Sequence, residues 1–450
     1  MLLPESDVND PIASPAAVLP CHSGDGVIIA HMARPRIDTA LLFTTRIMRL
    51  FAYGFLSVVL VLYLAAAGLT EKEIGVVLSL TLAGDAAISL WITTSADRIG
   101  RRRMLLFGSF LMAGAGVVFL LTKNLALLTI AAIIGVISPS GLEVGPFLSI
   151  EQAALSQLVL NERRTQLFAW YNLVGSFATA LGALGGGLLA QTLQASGFTA
   201  FDSYRAVLLG YAVAGGTLAL LFLSFSPAVE AVNRPDAAPA KRVLGLHRSR
   251  GVVAKLSSLF ALDAFAGGLI VQSIMAYWFH VRFGADVGTL GGIFFGANLL
   301  AGISALLAAQ IAARIGLVNT MVFTHIPSNL LLCLVPLMPN ARLAVGVLLA
   351  RFAISQMDVP TRQSYTMAVV EPDERSAASG VTTIARSVGA SLSPTLSGVF
   401  LASPLLLNVP FFLAGGLKII YDLLLYKSFK ALKPPEEAAA SRAVGAGRYG

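Results

Sequence analysis

Two stretches of this chain read as one loop written twice: Ala96-Asp97-Arg98-Ile99-Gly100-Arg101-Arg102-Arg103-Met104, and Ala312-Ala313-Arg314-Ile315-Gly316-Leu317-Val318-Asn319-Thr320-Met321. Each lies between two long apolar segments. A Gly holds the same place in both, where a tight turn needs a backbone that a Cβ would hinder. The first copy keeps its charges and the second has lost most of them. The likeness spreads outward from there. Arg49-Leu50-Phe51-Ala52-Tyr53-Gly54-Phe55 matches Asp263-Ala264-Phe265-Ala266-Gly267-Gly268-Leu269, and Pro146 answers Pro360. Glu162-Arg163 answers Glu374-Arg375, and Val174-Gly175 answers Val388-Gly389. The matches keep nearly one offset, so the chain is a parallel duplication.

Composition says where such a chain lives. Of 450 residues, 56% are hydrophobic and 12% charged, and the mean hydropathy is +0.77. That much apolar surface has no polar shell to hide behind in water. A hydrocarbon core of about 30 Å takes ~20 apolar residues per helical span, and hydropathy gives about twelve spans. The first six are 49–69, 72–95, 104–122, 125–147, 166–189 and 204–225. The second six are 256–279, 287–313, 317–338, 341–359, 377–401 and 405–426. The fold class expected is an all-α integral membrane protein in two parallel six-helix halves, 46–226 and 256–430. Flanking them are a disordered tail (1–45), a linker (227–255) and a second tail (431–450). Pro235, Pro239 and five basic residues mark the linker as flexible and cytoplasmic, either lying on anionic lipid or simply solvated.

The formal charge of +8 follows membrane topology and is no footprint of nucleic acid. With both termini inside, only Lys72, Lys123, Arg205, Arg282 and Arg342 fall in outward loops, which is the positive-inside rule. Cys21 and Cys333 are the only cysteines, so neither a disulfide nor a metal cluster is expected, and no cofactor. No basic start followed by an apolar run marks a cleavable signal. Met32-Ala33-Arg34-Pro35-Arg36 reads as an alternative translation start.

Six plus six spans, a parallel repeat and this loop resemble the Major Facilitator Superfamily. The family's loop between spans two and three reads Gly-x-x-x-Asp-Arg-x-Gly-Arg-Arg. Here it is Thr93-Thr94-Ser95-Ala96-Asp97-Arg98-Ile99-Gly100-Arg101-Arg102. Thr93 replaces the family's Gly, so span two is expected to pack less closely on span eleven. The resemblance implies a secondary transporter working by alternating access, its halves rocking around a site between them. It also implies that Asp97, Arg98, Gly100, Arg101 and Arg102 latch the inner gate; a cluster that merely keeps the loop inside is the plainer alternative. An Arg in span four and a Gly-Pro in span five, marks of the family's antiporter branches, are both missing.

A charge at the bilayer centre costs roughly 2.5 to 3.5 kcal/mol on insertion scales, so each one asks for a reason. Asp85, mid-span in span two, is the leading proton-coupling candidate, with Glu143 and Asp358 behind it. Arg351, Asp358 and Arg362 are spaced to share a face of one helix. Arg351 and Arg386 are candidates for an anionic substrate, with Gln272, Asn298, Asn172 and Tyr53 as uncharged cavity candidates. Glu151, Arg362, Arg49 and Asp263 are placed at the inner gate. Arg49 and Asp263 align across the repeat, which suggests a direct ion pair. Lys418 and Asp422, four apart in span twelve, are expected to neutralise each other.

The function expected is proton-coupled efflux of amphipathic or toxic compounds, with transport of a small organic anion on the embedded arginines as the alternative. No Walker loop supplies ATP drive. An intramembrane enzyme lacks its nucleophile and base, since only His325 of the five histidines lies well within a span. The partners expected are a small-molecule substrate, protons and lipid, for a monomer in a bacterial inner membrane.

Overall fold

The computed structural model describes residues 25–143, 146–158, 164–230, 246–371 and 374–432, without the side chains of 25–36, 97, 164–166 and 376. Every regular element described is a helix. The first half holds α1 (Asp25–Ser57), α2 (Leu60–Ala66), α3 (Glu71–Ile99) and α4 (Arg101–Leu121). It continues with α5 (Leu125–Ile134), α6 (Phe147–Leu158), α7 (Arg164–Ala195) and α8 (Ala200–Leu223). The second half holds α9 (Arg250–Gly268), α10 (Gln272–Phe283), α11 (Val287–Ile315) and α12 (Leu317–Leu334). It ends with α13 (Ala341–Ser355), α14 (Asp358–Ala368), α15 (Arg375–Leu401) and α16 (Val409–Phe429).

The repeated loop appears as the same turn twice. Gly100 has φ +116° and Gly316 φ +89°, the region that favours residues without a Cβ. Each donates its N–H four residues back, to Ala96 and Ala312, and so ends one helix just as the next begins.

Among the described residues, nine stretches are long and apolar enough to cross a membrane. A tenth is α1 with α2, bent by 44°. Two of the twelve expected spans fall outside this set. Span four is broken: α5 stops at Ile134 and α6 starts only at Phe147, because Gly135, Pro139, Gly141 and Pro146 interrupt it. Span eleven, α15, has 27 residues but is too rich in Ser and Thr to pass on hydropathy. The other corrections concern the ends. Helix α1 begins at Asp25, inside the stretch expected to be a tail, and it includes Met32; residues 1–24 and 433–450 lie outside the described set. Helix α9 begins at Arg250, inside the expected linker, of which 231–245 also lie outside it.

Spans one, four, seven and ten, the first and fourth of each half, are all discontinuous. Among the described residues their breaks lie at 58–59, 135–143, 269–271 and 356–357. The remaining long helices carry the packing, and small residues set their spacing. A Cβ on Gly182 would lie 2.0 Å from the Phe51 carbonyl oxygen, and one on Gly186 2.1 Å from that of Phe55. Helix α7 thus lies backbone-close to α1. Its other side meets α11 where Gly187 faces Gly291, and α3 meets α15 where Gly75 faces Gly398. The Thr93 hydroxyl meets Ser149 of α6 at 2.9 Å.

Hydrogen bonds join the halves at mid-depth and at the end away from the termini. Gln272 Nε2 donates to Ser57 Oγ (2.7 Å), and the Ser273 N–H to the Pro139 carbonyl (3.1 Å). Thr395 N–H and Oγ1 reach Ser79 Oγ, at 2.9 and 2.8 Å. Tyr277 donates to Glu71 Oε1 at 2.9 Å.

Candidate functional site

Each half holds one buried network of charges, built around its broken first and fourth spans. In the first half Arg49 of α1 is fully buried (0% exposed). Its Nε meets Glu143 Oε1 at 2.8 Å. Its two terminal nitrogens meet both oxygens of Glu151, at 2.8 and 2.7 Å. Arg46, one turn earlier, bonds Glu143 Oε2 (2.9 Å) and Asn172 Oδ1 (3.2 Å). Thr45 and Tyr171 donate their hydroxyl hydrogens to Glu151. Two cations and two carboxylates balance here. Every Glu151 oxygen is satisfied, which buried charge demands. The break in span four is what lets Glu143, within it, and Glu151, on α6 beyond it, grip the same arginine.

The second half inverts the polarity. Asp263 of α9 takes the place of Arg49 and collects cations from three helices. Lys418 Nζ of α16 lies 2.5 Å away, Arg362 Nη1 of α14 at 3.0 Å, and Arg386 Nη1 of α15 at 3.3 Å. Arg362 also holds Asp358, at 3.0 Å. Deeper between α12 and α16, His325 Nδ1 meets Asp422 Oδ1 at 2.8 Å. Asn329 Nδ2 donates to the other Asp422 oxygen at 3.1 Å.

Arg351 of α13 stands apart. It is 7% exposed, its guanidinium lies over the Phe352 ring, and its buried Nε has no hydrogen-bond partner. Among the described residues it makes no ion pair. Around Asp263, three carboxylates (263, 358, 422) face four fixed cations (351, 362, 386, 418), an excess of one positive charge with His325 neutral.

Several pairings differ from those expected. Arg49 and Asp263 do not pair with each other, because each finds opposite charge on the fourth span of its own half. Lys418 and Asp422 do not neutralise each other; Lys418 reaches across to Asp263 and leaves Asp422 to His325 and Asn329. Arg351 does not share one continuous helix with Asp358 and Arg362, since the chain breaks at Gln356–Met357. The residues that sequence reasoning left out of the site are Arg46, Thr45, Tyr171, His325 and Asn329. Arg46, one turn from Arg49, was the signal available for the first three.

Two of the uncharged candidates, Asn298 and Gln272, form a chain that reaches Ser57. Asn298 Nδ2 donates to Gln272 Oε1 (3.1 Å), and Gln272 in turn to Ser57. Tyr53 is fully buried, and Asp85 of α3 lies within electrostatic reach of it and of Tyr211. Ser89 Oγ touches Asp85 Oδ1 at 3.5 Å. In the repeated loop Arg101 bonds Gln157 at 3.0 Å and the Val229 carbonyl at 3.3 Å. Arg102 bonds the Leu223 carbonyl, and Arg98 is exposed. Glu230 accepts the N–H groups of Arg101 and Arg102 and so caps α4 from outside.

The sequence profile of the Major Facilitator Superfamily matches residues 42–394. The chain belongs to that family. It is therefore a multi-pass membrane transporter of small molecules and no enzyme. An uncharacterized membrane protein of Saccharomyces cerevisiae is 33% identical over 417 residues, covering 86% of this chain and 93% of the relative. Among solved structures, a nucleoside transporter superposes with TM-score 0.71 at 13% identity, over 87% of this chain and 99% of that one. A D-xylose–proton symporter gives 0.66 at 16%, over 86% and 97%. A human organic anion transporter gives 0.59 at 16%, over 87% and 99%.

Proposed function

We propose that this transporter moves a small organic anion by alternating access, with Arg351 and Arg386 as the groups that receive it. The observation that carries this reading is the unpartnered Arg351. A buried guanidinium with no carboxylate in contact, Asp358 and Asp263 acting on it only from a distance, is costly unless something answers it, and an anion answers it best, by bidentate contact. The excess positive charge around Asp263 supports the same reading. So does Arg386, which at 35% exposed is the accessible member of that cluster. Gln272, Asn298, Asn172 and Tyr53 would contribute neutral contacts.

Protons are the proposed energy source, with Asp85, Glu143 and Asp358 as the carriers put forward from sequence. Glu143 and Asp358 are both engaged in arginine ion pairs of the two networks, and Asp85 leads among the three by its place in the middle of span two. The gate roles proposed for Glu151, Arg362, Arg49 and Asp263 fit their places in the two networks, and that of the 97–102 loop fits the bonds of Arg101 and Arg102 to Gln157, Val229 and Leu223. Lys and Arg placement supports cytoplasmic termini. The Ala- and Arg-rich composition supports a bacterial inner membrane, and the yeast relative weighs against it. A monomer is proposed.

The test is flux in proteoliposomes, using a panel of carboxylates and of cationic amphipaths with a pH-sensitive dye inside. Carboxylate-triggered proton movement is expected, and its sign separates symport from antiport. Arg351→Gln is expected to weaken carboxylate affinity about 10- to 100-fold, the worth of a charge-assisted bond of about 1.5–3 kcal/mol. Response to cationic amphipaths alone would refute the anion reading and restore efflux of amphipathic compounds.

A further inference from the structure

We propose that His325 and Asp422 form a proton-binding site that sets the charge of the second-half network and couples protons to the movement of the halves. This rests on the anion reading only for the direction of coupling; the site stands on geometry of its own. Both residues are buried, at 4% and 0% exposed. The imidazole Nδ1 faces Asp422 Oδ1 at 2.8 Å, and Asn329 holds the second oxygen. With the Nδ1 hydrogen directed at the carboxylate, Nε2 is the basic atom, and a proton added there converts a neutral imidazole to an imidazolium against Asp422.

What makes the pair more than a structural contact is how the surrounding charge is shared out. Helix α16 carries Lys418, Tyr421 and Asp422 within about one turn, and Lys418 is spent on Asp263. Asp422 therefore has a titratable partner where a permanent cation stood four residues away. Helix α9 contributes Asp263, and α14 contributes Asp358, Arg362 and Tyr365. Helix α13 contributes Arg351 and α15 Arg386; α11 brings Arg314 in its last turn. Asp263 is already shared among three cations, and no further carboxylate in this set is open to take a new charge. Protonating His325 raises the excess from one positive charge to two. The weakest held of the three cations on Asp263, Arg386 at 3.3 Å and partly exposed, is the one that added repulsion displaces. The site then gains both a freed guanidinium and a stronger positive field. Anion and proton accordingly bind together. Asp422 also links α12 to α16, and Asp263 links α16 to α9, α14 and α15, so a change of charge at one point is felt by five helices.

Histidine titrates in the physiological range unless held otherwise, and the chain contains five histidines, so the site can be watched directly. Nitrogen-15 histidine spectra are taken on the purified protein from about pH 5 to pH 8. In a second sample His22, His31, His247 and His280 are replaced by Gln, leaving His325 and its partner intact. The His325 signal is expected to pass from neutral imidazole to imidazolium within this range. Spin labels at Ile99 and Arg375, in a chain with Cys21→Ser and Cys333→Ala, report the distance between the halves at the terminus end. That distance distribution is expected to shift between the two pH limits, and in His325→Gln to stop shifting. A His325 signal that stays constant would overturn the proposal. So would a pH-driven shift that persists in His325→Gln. Neither readout needs the substrate, so a failed carboxylate screen and a failed proton site are separate results.

Discussion

Val136 shows how much a single residue can reveal. It has φ +52°, a region a β-branched residue enters only under strain, at about 1–3 kcal/mol. It sits where span four breaks, and Tyr211 donates its hydroxyl hydrogen to the Val136 carbonyl at 3.0 Å. Val136→Gly is expected to raise thermal stability by about 1 kcal/mol, after the entropy cost of the glycine is deducted. A melting curve in detergent that shows no gain would remove the strain from the account. Arg49→Gln makes the opposite prediction. It strands Glu151 in a buried site and leaves Glu143 to Arg46 alone, a loss of about 3–5 kcal/mol, and the melting temperature should fall steeply. Arg49 was legible in the sequence as a charge in need of a partner. Its partners were not, because Glu143 and Glu151 lie about a hundred residues away and meet it only once span four is broken.

At the scale of the element, caps differ between the two ends of the molecule. Helices that begin away from the termini carry local caps: Thr70 on α3, Asn124 on α5, Thr199 on α8, Asp286 on α11 and Asn340 on α13. These were readable, since a capping residue precedes its helix. At the terminus end, α4 and α9 are capped from a distance. Glu374 accepts the N–H groups of His247, Arg248 and Ser249 just ahead of α9. Desolvation pushes its carboxyl up, but the Ser249 side chain and these three N–H groups outweigh that and hold it at about 2. Because the folded value lies below the unfolded one, this contact stabilises fully above about pH 4.5 and is lost as pH falls toward 2. Glu374→Gln should therefore lower the melting temperature near pH 6, and the difference from wild type should vanish by about pH 2. A difference that stayed constant with pH would deny the charged cap. The glycine face of α7 is the other element-scale device. Gly182→Leu would force α7 away from the α1 backbone, and lost expression of folded protein is the outcome expected, scored by size exclusion in detergent.

Across the whole molecule, the two networks are the same plan with the charges exchanged. The first half puts bases on span one and acids around span four. The second puts an acid on span seven and bases on spans ten, eleven and twelve. Each half is thereby clipped internally, while the contacts between halves are neutral or close-packed: Gly75 on Gly398, Gly187 on Gly291, Ser79 with Thr395, Gln272 with Ser57. Such contacts can part without stranding a charge, which suits halves that rock. Tyr277 to Glu71 is the exception near the end away from the termini. Tyr277→Phe should remove about 1 kcal/mol from that closure, a roughly fivefold shift toward opening there, read as faster labelling of a cysteine placed at Val61. Unchanged labelling would show that glycine packing alone keeps that end shut.

The division between chain and fold follows from range. Span number to within two, the parallel duplication, the twin turns at Gly100 and Gly316 and the membrane class were all readable in the residues, because hydropathy, period and turn chemistry act over at most a few tens of residues. Who pairs with whom was not. Lys418 and Asp422 looked self-sufficient, and Arg49 and Asp263 looked made for each other, yet all four found partners elsewhere. Buried charge is settled by whichever opposite group the packing brings within about 3 Å. That depends on where helices break and how closely glycines let them approach, and these are properties of the assembled bundle.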